Sequence, residues 1–119
     1  MVNIYINLNG RHESFLNKLE KIDIKSLESV DDFKIRKLQM AITSDDLLEE
    51  TKKNLSNVET AAKPVPKLIV VESENFHNIV NLINDPYIDA VNIGASEEEL
   101  KARIYSLVGD CLLYTSPSP

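Results

Sequence analysis

The chain has 119 residues, of which 43% are hydrophobic and 27% charged, and its formal net charge is −6. These values are typical of one globular domain with one core. They argue against a nucleic-acid-binding surface, which needs clustered Lys and Arg. The single cysteine, Cys111, excludes an intramolecular disulfide and a Cys-based metal site. No apolar run approaches the ~20 residues of a membrane span, so we expect a cytoplasmic protein without a membrane partner.

The first 43 residues predict three strands alternating with two helices. Alternating apolar residues over 2–8 predict a strand, which Asn9-Gly10 ends. Over residues 13–21 the spacing of Phe15, Leu16 and Leu19 predicts one apolar helix face. A short strand is expected over residues 22–25. Residues 26–37 fit both a helix and a strand, and we expect a short helix followed by a strand over 38–43.

The next helix is predicted to begin within residues 43–46, Thr-Ser-Asp-Asp. A hydroxyl there can accept from free backbone N–H groups, and the two Asp suit the positive end of a helix dipole. Four apolar residues are expected to form its buried face: Leu47, Leu48, Leu55 and Val58.

The segment 66–108 contains the clearest pattern. A β-branched run over 66–73 predicts a strand, and residues 74–83 have the apolar spacing of a helix. A second apolar run covers 88–93. Ser96 and Glu99 then form the capping-box pattern that opens an amphipathic helix. Strands alternating with helices predict an α/β fold with a parallel sheet and helices on its faces.

Parts of this segment resemble response-regulator receiver domains. The last helix reads Glu-Glu-Glu-Leu-Lys-Ala-Arg-Ile over 97–104, close to the Pro-Glu-Glu-Leu-x-Ala-Arg-Val that the family often has there. Pro66 precedes a strand, as in the family's fourth strand. The resemblance implies a three-layer domain whose five parallel strands have the flavodoxin-like order 2-1-3-4-5. It also implies a role in bacterial two-component (phosphorelay) signalling.

The chain departs from that family at the positions that carry its chemistry. Receivers hold Mg2+ with an acidic pair after the first strand and use a lysine after the fifth strand to neutralise phosphoryl charge. Here the corresponding positions are the neutral Asn7 and Asn9, and Ile93. We therefore expect a pseudo-receiver that is not an enzyme and needs no cofactor. In the alternative, a phosphorylatable regulator, Asp45 or Asp46 would accept the phosphoryl group with Mg2+ as cofactor, although both also suit a first helical turn.

The resemblance implies that the domain acts through a protein partner or a second copy. Receiver families use the face formed by the fourth helix, fifth strand and fifth helix, and four exposed candidates fall there: His77, Asn81, Lys101 and Tyr105. A small-ligand-binding flavodoxin-like domain or an enzyme fragment stays open as a further alternative. Its pocket would lie at the carboxyl ends of the strands, near Asn7, Asn9, Thr43, Ser44 and Ser73.

The last nine residues, 111–119, differ in character from the rest. They carry no charge and resemble a translated mosaic-end adapter of transposase-prepared sequencing libraries. A natural disordered C-terminus would also suit their Ser and Pro content. We expect a domain over residues 1–110, a non-native or disordered tail, and an output domain beyond residue 110 that this truncated fragment lacks.

Overall fold

A computed structural model describes residues 2–22, 24–27, 38–58, 64–72 and 87–112. The helix expected over 74–83 lies outside these ranges, as do Ser73, His77 and Asn81. The same holds for nearly all of the uncertain stretch 26–37.

The described strands form parallel pairs. They are β1 (Val2–Asn7), β2 (Ile24–Leu27), β3 (Met40–Ser44), β4 (Lys67–Val71) and β5 (Ile88–Asn92). Strand β1 pairs with both β2 and β3, and β4 pairs with both β3 and β5. The expected α/β class with a parallel sheet is therefore confirmed.

Three α-helices fall within the described ranges. A 3₁₀ turn at Gly10–His12 leads into α1 (Glu13–Leu19), and α2 spans Leu48–Leu55. Helix α3 (Glu97–Leu112) begins as expected, because Ser96 Oγ accepts a hydrogen bond from the Glu99 N–H at 3.2 Å. It continues two residues beyond Asp110. Within the described part of the chain, no helix combines the length and apolar character that a membrane crossing requires.

Successive strand residues face opposite sides of the sheet, and the described helices cover both sides. On one side, α1 and α3 pack against the sheet in a cluster that we call the large core. Its buried members are Ile4, Phe15, Leu19, Ile22, Met40, Ile42, Leu68, Val70, Val91, Ala95, Leu100, Ile104, Leu107 and Val108. On the other side, Leu55 of α2 packs with Tyr5, Ala41 and Val65. Helix α3 is therefore held against the sheet by an apolar stripe formed by Leu100, Ile104 and Leu107.

The helix start expected at residues 43–46 is wrong. Thr43 and Ser44 end strand β3, residues 45–47 form a turn, and α2 begins at Leu48. The register pairs Thr43 with Ile69 and Ser44 with Val70 of β4. These cross-strand hydrogen bonds outweigh the local preference of Thr and Ser for a helix cap, because they also place both residues in a fully buried strand.

The early part of the chain needs smaller corrections. The strand expected over 22–25 lies at Ile24–Leu27, and Ile22 belongs instead to the large core. Leu27, expected in a helix, is therefore a strand residue. In α2 the fully buried residues are Thr51 and Leu55, whereas Leu47 and Leu48 are half-buried. Thr51 was not expected on the buried face because it is polar.

Candidate functional site

The carboxyl ends of β1 and β3 meet at Asn7 and Thr43. The two residues are register partners, and Thr43 Oγ1 donates to the Asn7 carbonyl oxygen at 3.2 Å. Both lie on the side of the sheet that α2 covers, in line with Tyr5 and Ala41. This is the edge where a parallel α/β sheet usually binds its ligand.

Helix α2 closes this edge with a hydrogen-bond network that joins Asn7, Thr43 and Thr51 to the carboxylate of Glu50. Thr51 Oγ1 donates to Thr43 Oγ1 at 2.7 Å and lies 2.9 Å from the Leu47 carbonyl oxygen. The Asn7 side-chain amide donates to Thr51 Oγ1 and to Glu50 Oε2, both at 3.0 Å. Thr43 and Thr51 are completely buried. The network therefore links two strands and a helix through hydrogen bonds that satisfy buried hydroxyls.

The role of Asn7 in this network depends on its being an amide. A carboxylate has no N–H to donate, so an acid at this position would face Glu50 as a second negative charge. The chemistry of the site thus explains why a neutral residue stands there. The Asn7 amide is not one of the carboxylate ligands through which proteins usually hold Mg2+.

Asp45 and Asp46 lie in the turn between β3 and α2. Ser44 Oγ donates to Asp46 Oδ1 at 2.5 Å, and Ser44 itself is fully buried. Asp46 is exposed and Asp45 is half-buried. Both phosphoacceptor candidates are therefore at the carboxyl edge, although not in a helical turn. Among the described residues, no group of three or more His, Cys, Asp or Glu side chains could hold a metal ion.

The loop after β5 carries an apolar side chain, Ile93, near the carboxyl edge of the sheet. Ile93 packs against the large core, and its N–H donates to the Val71 carbonyl oxygen at 2.8 Å. Asn92 Oδ1 accepts from the Gly94 N–H at 2.8 Å, which tightens the turn. Lys18 of α1 reaches this loop and donates to the Ala95 carbonyl oxygen at 2.7 Å.

The outer surface of α3 carries the two described contact candidates. Lys101 and Tyr105 are exposed, and the Lys101 ammonium lies 5.8 Å from the centre of the Tyr105 ring, within cation–π range. Tyr105 is 41% exposed, which is high for a large aromatic residue. Arg103 joins α3 to β5 through Asp89 at 3.1 Å and lies 3.5 Å from Glu99.

Sequence reasoning missed three residues that organise these regions: Lys18, Glu50 and Thr51. Of these, only the buried position of Thr51 could have been predicted from the sequence, since Thr51 lies three residues after Leu48 and four before Leu55 on one helical face. The contact of Lys18 joins residues 77 positions apart, and no local pattern indicates it.

Comparison with known proteins adds no family assignment. No family model matches the chain, and neither a curated protein nor a solved structure is detectably similar to it.

Proposed function

We propose that this chain is a pseudo-receiver: a non-catalytic, cytoplasmic regulatory or docking domain of a bacterial two-component-type signalling protein. The proposal includes a five-stranded sheet of flavodoxin-like order 2-1-3-4-5. The parallel pairs of β1 with β2 and β3, and of β4 with β3 and β5, support that order. The likeness of α3 to the last receiver helix supports the signalling role.

The observation that carries the proposal is the hydrogen-bond network around the Asn7 amide at the carboxyl edge. Phosphoryl transfer to an aspartate requires positive charge to stabilise the negative charge that develops. Here the Asn7 amide is committed to Thr51 and Glu50. The position of the receiver lysine is taken by Ile93, which packs against the large core. The domain therefore acts by binding rather than by accepting phosphate.

We expect no stable phosphoryl adduct when the protein is incubated with acetyl phosphate and Mg2+. The physical reason is that the end of β1 carries the amides Asn7 and Asn9 in place of an acidic pair, and the loop after β5 carries Ile93 in place of a lysine. Intact-mass spectrometry at neutral pH tests this, with a competent receiver domain treated in parallel as a positive control. A stoichiometric adduct on Asp45 or Asp46 would support the alternative of a phosphorylatable regulator and reject the pseudo-receiver.

The proposed contact surface is the exposed side of α3. Lys101 and Tyr105 lie outside the buried stripe of Leu100, Ile104 and Leu107. They combine a cation with an aromatic ring, and aromatic residues are enriched where protein surfaces bind one another. A second copy or another signalling protein is the proposed partner.

We expect Lys101→Glu and Tyr105→Ala to weaken self-association or partner binding while leaving the fold intact. Contacts at the rim of an interface contribute a few tenths to about 1 kcal/mol, so the dissociation constant should rise by up to about fivefold. Analytical ultracentrifugation and titration of a full-length signalling partner provide the measurements. Lys53→Glu, a matched charge reversal at an exposed position of α2, should change neither self-association nor partner binding. The docking surface is wrong if both α3 variants behave as the parent does.

A further inference from the structure

Asn9-Gly10 is the one Asn-Gly pair in a sequence with 11 asparagines. The other asparagines precede larger residues, such as Leu8 after Asn7 and Val58 after Asn57. Glycine after asparagine matters chemically because it leaves the following backbone nitrogen unhindered by a side chain. That nitrogen can then reach the asparagine side chain.

The structure leaves space around the glycine of this pair. Gly10 is exposed, and a Cβ atom built on it would meet no heavy atom within 4 Å. Gly10 is also the first residue of the 3₁₀ turn, so its N–H has no acceptor inside that turn. The Asn9 carbonyl oxygen accepts from the His12 N–H at 3.0 Å, which holds the turn at the start of α1.

We propose that Asn9 is a site of spontaneous deamidation. The Gly10 nitrogen attacks Asn9 Cγ, so that a Cγ–N bond forms while the Cγ–Nδ2 bond breaks. Ammonia leaves with the proton of the Gly10 amide, and a five-membered succinimide ring remains. Water then opens the ring at either carbonyl, giving aspartate or isoaspartate, with no change in oxidation state.

The products place a new negative charge at the carboxyl edge of the sheet. Asn7 and Thr43 are register partners, so Asn9 and Asp45 each lie two residues beyond that pair. The isoaspartate product has a second effect, because its main chain runs through the former side chain and gains a carbon atom. The former Asn9 carbonyl becomes a free carboxylate, so the hydrogen bond that it accepts from the His12 N–H no longer closes the turn. Helix α1, which carries Phe15 and Leu19 of the large core, is then held less firmly.

Ageing the purified protein at mildly alkaline pH and physiological temperature tests the proposal. Peptide mapping by mass spectrometry is expected to show deamidation at Asn9 ahead of every other asparagine, including the exposed Asn57. Gly10→Ala should slow the reaction at least about tenfold, equivalent to a barrier higher by about 1.4 kcal/mol. This variant should fold, because Gly10 has no positive φ and its Cβ site is open.

Asn9→Asp separates the charge from the altered linkage. It adds the same charge without the extra main-chain atom, so the isoaspartyl fraction should have a lower Tm than this variant. Equal Tm values would overturn the effect on α1. Deamidation at Asn9 no faster than at Asn57, or an equal rate in Gly10→Ala, would overturn the site itself.

Discussion

Ile104→Ala is expected to lower the free energy of unfolding by about 2–5 kcal/mol. Ile104 is completely buried in the large core, where α3 packs against the sheet. Alanine removes apolar atoms and leaves a cavity, because helix and strands cannot close around it without shifting other contacts. Domains of this size are stable by only about 5–15 kcal/mol, so the variant loses a large share of its stability.

Urea unfolding followed by circular dichroism measures this loss, and Tyr105→Ala is the matched control. Tyr105 is the next residue of the same helix and is 41% exposed, so its truncation should change stability by only about 0.5 kcal/mol. The comparison tests how α3 is oriented. Similar losses in the two variants would show that the stripe of Leu100, Ile104 and Leu107 does not face the sheet.

The second large effect is expected for Thr51→Val, which should lower the free energy of unfolding by about 1–3 kcal/mol. Valine has nearly the same shape as threonine but lacks the hydroxyl. Thr43 Oγ1 then loses the donor at 2.7 Å, and the Asn7 amide loses one of its two acceptors. The first loss matters more, because Thr43 and Thr51 are completely buried and water does not readily replace the missing donor there, whereas Asn7 is half-buried.

A double-mutant cycle with Thr43→Val tests whether the network acts as a unit. The sum of the two single losses in unfolding free energy should exceed the loss in the double variant by a coupling energy of about 0.5–3 kcal/mol. The reason is that a pair of apolar side chains leaves no hydroxyl unpaired. Thr51→Ser, which keeps the hydroxyl, should retain the coupling to Thr43. Strictly additive losses would show that Thr43 and Thr51 do not interact in solution.

The hydrogen-bond network at the carboxyl edge ties the end of β1 to α2, because Asn7 is bonded to Glu50 and Thr51. Ile93, after β5, contributes instead to the packing of the large core. A phosphoryl-transfer site at this edge would therefore require changes in α2 as well as in the two strand ends.

The elements best predicted from sequence were those with a strong local period. The β-branched run over 66–73, which forms β4, and the capping pattern before α3 required no knowledge of distant residues, and both elements lie where they were expected. The parallel α/β class followed from their alternation, because parallel strands need a crossover between them. The exposed positions of Lys101 and Tyr105 followed from the helical stripe in the same way.

Tertiary structure alone decided what happens at residues 43–51. Locally, Thr43 and Ser44 favour a helix cap, but Thr43 pairs with β1 and β4 and Ser44 pairs with β4, so both residues end strand β3. The hydrogen bond from Asn7 to Thr51 joins residues 44 positions apart. Such contacts depend on which elements become neighbours in the folded sheet. A sequence pattern reports the preferences of adjacent residues, whereas the site is assembled by hydrogen bonds between strands and a helix brought together by folding.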